Sequence, residues 1–262
     1  MAKTDLTQLL RSLKLSGMAQ TYANVALQAA REGLTHEQFL YIIATTEREQ
    51  RDQRRIERLQ KESALPIGKT LSKLDLARFP ALVRQQIEHL STGKFLHQAV
   101  NVVAVGTPGV GKTHLLAALG HELVMQGQRV FFSSTTVLVQ QLLQAKRDLC
   151  LPKLLTSLDR FACIILDDLG YVQQERQEME VLFTLLSERY ERRSLMISTN
   201  LMFSQWEQIF KDPMTTVAAL DRVIHHSVVL NLMEMVSFRA EEAEKRQAEA
   251  AAEAKERQGK SA

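Results

Sequence analysis

Cysteine is nearly absent from this chain: Cys150 and Cys163 are the only two in 262 residues. Neither stands at a spacing that would bind a metal or form a redox pair, so a disulfide framework and a cysteine-based zinc motif are excluded and two reduced thiols are expected. No apolar run reaches the roughly 20 residues of a membrane-spanning helix. The start, Met1-Ala2-Lys3-Thr4-Asp5, has no apolar signal core. A cytoplasmic chain with no membrane partner is the expectation. A strong excess of one charge is missing too: Lys plus Arg number 33 against 30 Asp plus Glu, a net charge of +3, which permits nucleic-acid binding without demanding it. What is present is core material, 45% hydrophobic against 24% charged residues, the mix of a globular protein. The length suits one large domain or a medium domain beside a small one.

The informative stretch is Gly106-Thr107-Pro108-Gly109-Val110-Gly111-Lys112-Thr113. It follows the apolar run Val100 to Val105 and precedes the apolar-periodic His114 to Gly120; strand, glycine-rich loop and helix succeed one another as a phosphate loop requires. Gly106, Gly109 and Gly111 permit backbone angles that turn successive N–H groups inward, where they cradle anionic oxygens at a helix N-terminus. Lys112 would then reach the β- and γ-phosphates of a nucleotide, and the Thr113 hydroxyl would ligate Mg²⁺. A plain glycine turn would need neither every fixed position nor both flanks.

Downstream, Arg129 to Ser133 predicts a second buried strand, and Thr135 the N-cap of a helix through Val137, Leu138, Leu142 and Leu143. Phe161 to Leu166 predicts a third strand, which ends in Asp167-Asp168. Ligands of an open α/β sheet gather at the carboxyl ends of its strands. Asp167 is therefore a candidate for orienting Mg²⁺, and Asp168 for facing the water that attacks the γ-phosphate. A helix through Met179, Leu182, Leu186 and Tyr190 leads to a fourth strand, Ser194 to Asn200. Asn200 could hold that water or sense the γ-phosphate; asparagine is also a common turn residue at a strand end. His114, His225 and His226, the last two expected on a helix that continues past Arg222, have no acidic or cysteine partner at metal spacing, so packing and hydrogen bonding are expected of them rather than zinc binding.

Before the loop the chain reads as helical. Leu6, Leu9, Leu10 and Leu13 recur at helical spacing, and Met18, Tyr22, Val25 and Leu27 continue the stripe. Thr35 with Gln38 is a capping box that opens a helix running through Lys61. On it Arg48, Arg51, Arg55 and Arg58 share a face, with Arg54 and Lys61 beside them. Such a face is either solvated through acid–base pairs such as Glu47 to Arg51 or a contact surface for nucleic-acid phosphates. Lys146, Arg147 and Lys153 make a second basic cluster, in the connection expected after the helix through Leu143. Pro66 and Gly68 break the pattern, leaving a linker from about Ser63 to Thr70, a docking segment Leu71 to Pro80, and a helix carrying Leu82, Val83, Ile87 and Leu90. The plan is a helical region 1–65, an α/β nucleotide-binding domain 66–240 and a charged, solvated tail 241–262.

Gly106 to Thr113, Ile164 to Gly170 and Ile197 to Asn200 together resemble the AAA+ ATPases. More narrowly, Gly111 to His114, Leu166 to Tyr171, Ser198 to Leu201 and Leu-Asp-Arg-Val-Ile-His-His at Leu220 to His226 look like the IstB-type helper ATPases of insertion sequences, relatives of the DnaC helicase loaders and DnaA initiators. Leu15 to Ala19 and Glu47 to Arg51 are similar to that family's helical region. The resemblance, over about residues 5 to 240, implies an AAA+ P-loop domain: a parallel sheet flanked by helices, a short helical lid and an all-helical N-terminal region. It implies that Gly106 through His114 hold ATP. Arg222 falls where the family places an arginine finger that reaches the γ-phosphate of a neighbouring subunit. Arg239, in Val236-Ser237-Phe238-Arg239, falls where a same-subunit arginine binds phosphate, with Phe238 standing in for a tyrosine. Asp168 stands where many AAA+ proteins have glutamate. The shorter side chain draws the carboxylate back by about one methylene, which begins to cost rate, so slow hydrolysis raised by DNA or a partner is implied.

By the resemblance the chain would be an ATP- and Mg²⁺-dependent homo-oligomer with ATP between subunits. It would assemble on duplex target DNA through its basic residues and present that DNA to the transposase of the same element. A DnaC-like helicase loader is the alternative; it would need its N-terminal region to grip a helicase and would favour single-stranded DNA. A small-molecule P-loop kinase would need an acceptor pocket and an arginine-rich lid on its own chain.

Overall fold

The computed structural model describes residues 5–170, 175–210, 212–238, 240, 241 and 246, which fall into two compact units, Met1–Leu59 and Gln60–Ala262. The first unit holds α1 (Leu6–Ser12), α2 (Ser16–Glu32) and most of α3 (His36–Ser63). Asp5 caps α1 by accepting the Thr7 N–H. The capping box forms as expected: Thr35 Oγ1 accepts the Gln38 N–H at 3.2 Å while Gln38 Oε1 accepts the Thr35 N–H at 2.9 Å. The chain breaks between α1 and α2 at residues 13–15, so Gly17 lies in the first turn of α2 rather than between two helices.

One buried carboxylate holds the start of α2. Glu47 Oε2 accepts the N–H groups of Gly17 at 2.6 Å and Met18 at 3.0 Å, and Glu47 Oε1 accepts Arg51 Nε at 2.6 Å. A negative charge at a helix N-terminus meets unpaired N–H groups and the positive end of the dipole. Burial pushes the Glu47 carboxyl up, but the hydrogen bonds from Met18, Arg51 and Gly17 outweigh it, and the pKa falls below the ordinary value. Only glycine fits at 17: a Cβ there would lie 2.9 Å from Glu47 Oε2 and 3.0 Å from Glu47 Cα. The two short N-terminal motifs of the sequence are thus halves of one contact.

In the second unit the 3-10 turns Leu71–Lys73 and Leu76–Arg78 precede α4 (Ala81–Ser91), β1 (Asn101–Val105), α5 (Lys112–Met125) and β2 (Val130–Ser134). It continues with α6 (Thr135–Arg147), α7 (Leu151–Leu158), β3 (Cys163–Leu169), α8 (Arg176–Arg189) and β4 (Ser194–Thr199), and ends with α9 (Glu207–Phe210), α10 (Pro213–Ile224) and β5 (Ser227–Asn231). The strands form a five-stranded sheet in the order β2-β3-β4-β1-β5, every pair parallel. A parallel sheet is covered on both faces, and β1 and β4 are buried at every residue. Helices α4 and α5 pack on one face. On the other, Val103, Val105, Ile164, Leu166, Leu195 and Ile197 join α6, α8, Trp206 and Phe210 in one apolar cluster.

Buried polar side chains tie strand ends together. Asn101 Oδ1 accepts the Leu195 N–H at 2.8 Å while its Nδ2 donates to the Val223 carbonyl at 3.0 Å, joining β1, β4 and α10. Arg189 donates to the carbonyls of Leu158, Phe161 and Ser194.

Three local expectations change. The N-cap of α6 is Ser134, whose hydroxyl accepts the Val137 N–H; Thr135 is the first helical residue, and its hydroxyl donates to the Asp167 carbonyl instead. Lys153 lies on α7 rather than in a connection. The stretch after Arg222 does not stay helical: α10 stops at Ile224 with His225 as its C-cap, His226 lies in the turn, and β5 follows beside β1.

Candidate functional site

The glycine-rich loop leaves β1 at Val105 and enters α5 at Lys112. Gly109 and Gly111 take φ of +90° and +93°, a region closed to most side chains. The loop is held at both shoulders. The Gly106 N–H donates to the Thr199 carbonyl of β4 at 3.2 Å, and the Leu232 N–H donates to the Val105 carbonyl at 2.7 Å. Val110 is fully buried beneath the loop. The Lys112 ammonium, itself buried, donates to the carbonyls of Gly106 at 2.7 Å and Thr107 at 3.0 Å. His114 Nε2 lies 3.1 Å from the Thr70 carbonyl and ties the first turn of α5 to the preceding segment.

A cleft of about 820 Å³ opens over this loop. Pro108, Gly109, Gly111, Lys112, Thr113 and His114 form one wall; Asp168 and Asn200 enter from the ends of β3 and β4. Three sequence motifs spread over residues 106–200 therefore converge because β3, β4 and β1 are neighbours in that order.

The acids occupy a β-bulge. Leu166 pairs with Ile197 and Leu169 with Thr199, so Asp167 and Asp168 together face the single residue Ser198. Asp167 is buried and Asp168 exposed. Ser198 Oγ donates to Asp167 Oδ1 at 2.5 Å and accepts the Asp168 N–H at 2.8 Å. Among the described residues no lysine or arginine forms a salt bridge with Asp167. A buried carboxylate of that kind is costly without a counter-charge, and a divalent cation fits it. Among the described residues no group of three or more His, Cys, Asp or Glu could hold a metal by itself. Mg²⁺ is bound by one or two protein oxygens together with substrate phosphates; Thr113 and Asp167 are the residues that could hold it.

The other wall was not anticipated. Lys69, Lys73, Asp75 and Arg78 of the segment before α4 line the cleft together with Phe238. The Arg78 guanidinium stacks 3.8 Å above the Phe238 ring and pairs with Glu241 at 2.5 Å, while the Phe238 N–H donates to the Gly109 carbonyl. Their basic character could be read from the sequence, but only the fold brings residues 69–78 against the phosphate loop.

The two expected arginines are Arg239 and Arg222. Arg239 falls outside the described residues. Arg222, in the last turn of α10, does not line the cleft; its guanidinium stacks 4.7 Å from the Phe183 ring and donates to the Ala218 carbonyl at 2.9 Å. It borders a shallow groove with Met214, Val217 and Asp221.

The basic residues of α3, Arg48, Arg51, Arg54, Arg55, Arg58 and Lys61, are all exposed. Arg51 and Arg54 are engaged within the helical unit: besides Glu47, Arg51 donates to the Lys14 carbonyl at 2.9 Å, and Arg54 to Ser16 Oγ at 2.5 Å. Lys146 pairs with Glu180 at 2.8 Å and holds that exposed carboxyl below its ordinary pKa; Arg147 and Lys153 are exposed. Among the described residues no helix is long and apolar enough to cross a membrane.

A parallel sheet in this order with a glycine-rich loop between β1 and α5, acids ending the third strand and asparagine ending the fourth defines a P-loop NTPase domain of the AAA+ type. The sequence profile of IstB-like ATP binding proteins matches residues 8–248, and the chain belongs to that family. It is 42% identical over 232 residues to an insertion sequence ATP-binding protein of Sinorhizobium fredii, covering 88% of this chain and 78% of that one. It is 36% identical over 228 residues to the insertion sequence IS21 ATP-binding protein of Pseudomonas aeruginosa, covering 87% and 86%. Among solved structures, the replication initiator DnaA bound to AMPPCP and single-stranded DNA matches with a TM-score of 0.55 at 15% identity, over 65% of this chain and 51% of that one. The chain thus spans about half the length of that initiator. DnaI matches with a TM-score of 0.55 at 18% identity over 65% of this chain and 96% of that one. At such identities the likeness is one of fold.

Proposed function

We propose that this chain is an Mg²⁺-dependent ATPase of an insertion sequence that assembles on duplex DNA with ATP held between subunits and serves the transposase of the same element. In this reading the N–H groups of residues 106–111 and the Lys112 ammonium hold the β- and γ-phosphates. Thr113 and Asp167 hold Mg²⁺, which would offset charge on the phosphate oxygens. Asp168 and Asn200 orient the water that attacks the γ-phosphorus; the bond to the β–γ bridging oxygen breaks, ADP and phosphate leave, and the water's proton passes to solvent or carboxylate. Arg239 would bind phosphate from the same subunit.

The observation that carries the oligomeric part is the position of Arg222. It stands on α10, outside the cleft that gathers Lys112, Asp168 and Asn200, as a cation meant for a neighbour's γ-phosphate must. The names of the relatives support the insertion-sequence context. Arg48, Arg51, Arg54, Arg55, Arg58, Lys61, Lys146, Arg147 and Lys153 are the proposed DNA-phosphate contacts; Arg51, Arg54 and Lys146 would give up the bonds just described to make them.

Particle size on duplex DNA, measured by light scattering with ATP, ADP or no nucleotide, tests the proposal. The native chain should assemble with ATP, and both Lys112→Ala and Arg222→Ala should abolish assembly. A particle of monomer size in every state, unchanged by either substitution, would exclude the oligomeric switch.

A further inference from the structure

We propose that Ser198 is the positioning residue of the metal and water sites: its one hydroxyl fixes the bulge at which Asp167 stays buried beside β4 while Asp168 reaches the cleft. This rests on the reading that Asp167 holds Mg²⁺ and Asp168 faces the attacking water.

Two consecutive residues of a regular strand point to opposite faces of the sheet, so a regular β3 would aim one of the acids into the apolar cluster or the α5 layer. The bulge prevents that by setting two residues against one. Its geometry is visible in the register, where three steps along β3 from Leu166 to Leu169 match two along β4 from Ile197 to Thr199. It is visible again at Asp168, whose φ is +57°, an uncommon backbone state found chiefly for asparagine, aspartate and glycine. Such a conformation persists only where its surroundings over-determine it.

Ser198 supplies that determination. A hydroxyl has one hydrogen to give and two lone pairs to receive with. Here the hydrogen goes to Asp167 Oδ1 and a lone pair takes the Asp168 N–H. The first bond, to a charged oxygen, is of the stronger kind; it fixes the side chain of one acid while the second fixes the main chain of the other. Ser198 is completely buried, so water does not compete for either bond. Flanking hydroxyls lock the same three residues: Thr135 Oγ1 donates to the Asp167 carbonyl at 2.9 Å and Thr199 Oγ1 to the Leu169 carbonyl at 2.8 Å.

The left-handed backbone also gives a physical reason for aspartate at 168 in place of a longer acid. The position tolerates aspartate, and the bulge itself advances the main chain, so carboxylate reach there is not set by side-chain length alone.

Ser198→Ala and Ser198→Thr, with the native chain, test this by steady-state hydrolysis and by Mg²⁺ titration of binding to a fluorescent ATP analogue. Ser198→Ala should lower kcat roughly tenfold to a hundredfold while KM for ATP changes by less than about threefold, because the phosphate loop is untouched. The Mg²⁺ concentration at half-saturation should rise. Ser198→Thr keeps the hydroxyl and should recover most of the kcat. Native hydrolysis and Mg²⁺ dependence in Ser198→Ala, or equal loss in both variants, would overturn the inference. Failure of the native chain to hydrolyse ATP would instead sink the ATPase reading. The Mg²⁺ titration would then decide the role of Ser198: a raised requirement in Ser198→Ala upholds it, and an unchanged one removes it.

Discussion

The α/β unit and the helical unit reach stability by different routes. In the first, whole strands are buried and a continuous apolar cluster runs from α6 to α10. In the second, Leu6, Leu9, Leu13, Leu27, Leu40 and Tyr41 are exposed, and among the described residues the buried ones are Gly17, Ala19, Ile43, Glu47 and Leu59. Apolar burial is spread over many residues and is non-directional; a charged hydrogen-bonded clip is concentrated in one residue and depends on its geometry. A protein that keeps a phosphate site rigid and a helical region adjustable would divide its interactions in this way.

The comparison can be broken first in the α/β unit. Leu185→Ala, at a side chain that is 1% exposed, should cost about 2–5 kcal/mol, whereas Leu27→Ala, at 62% exposed, should cost no more than about 0.5 kcal/mol. Denaturant unfolding of the two variants checks the difference, and equal losses would erase it. The helical unit should instead be sensitive at Glu47. Glu47→Ala strands the Gly17 and Met18 N–H groups and should cost about 2 kcal/mol, read as faster hydrogen exchange over residues 15–30. Acid should do the same to the native chain. The folded pKa of Glu47 lies below its ordinary 4.5, so the clip contributes fully above that value and is lost as pH falls through the folded one. Protection over α2 that holds to about pH 5 and falls in more acidic buffer is expected; protection independent of pH would show that the clip carries little. The smallest effect is chemical. Burial pushes the Cys163 thiol up to about 12, and Cys150 is exposed. A thiol reagent at neutral pH should therefore label Cys150 alone until the α/β unit unfolds. Equal labelling of both would show β3 to be open.

How far these features could be read from sequence follows from where their causes lie. The phosphate loop was legible because its requirements are local: glycine where φ is positive and lysine and threonine at the helix start. The acids and Asn200 were legible through their neighbours. β5 was not foreseen because Ser227–Asn231 is a half-buried edge strand with a single fully buried residue, Leu230. Ser198 stands within a recognisable motif, but its importance arises from a register slip between two strands that the chain alone does not specify. Lys69, Lys73 and Arg78 escaped for the same reason, their place in the cleft being a matter of tertiary packing. On α3 the arginines share one basic face in the sequence, but only the folded unit shows Arg51 bonded to the Lys14 carbonyl and Arg54 to Ser16 at the start of α2.

Strand β4 comes after both β1 and β3 in the chain yet lies between them in the sheet. While the protein is being synthesised, the phosphate loop and the acid pair therefore exist for some time without the strip of backbone that joins them. Only when residues 194–200 arrive can Gly106 find the Thr199 carbonyl and the aspartates find Ser198. Pairings over such sequence separations form slowly, so the ability to grip a triphosphate should be among the last properties a nascent chain acquires.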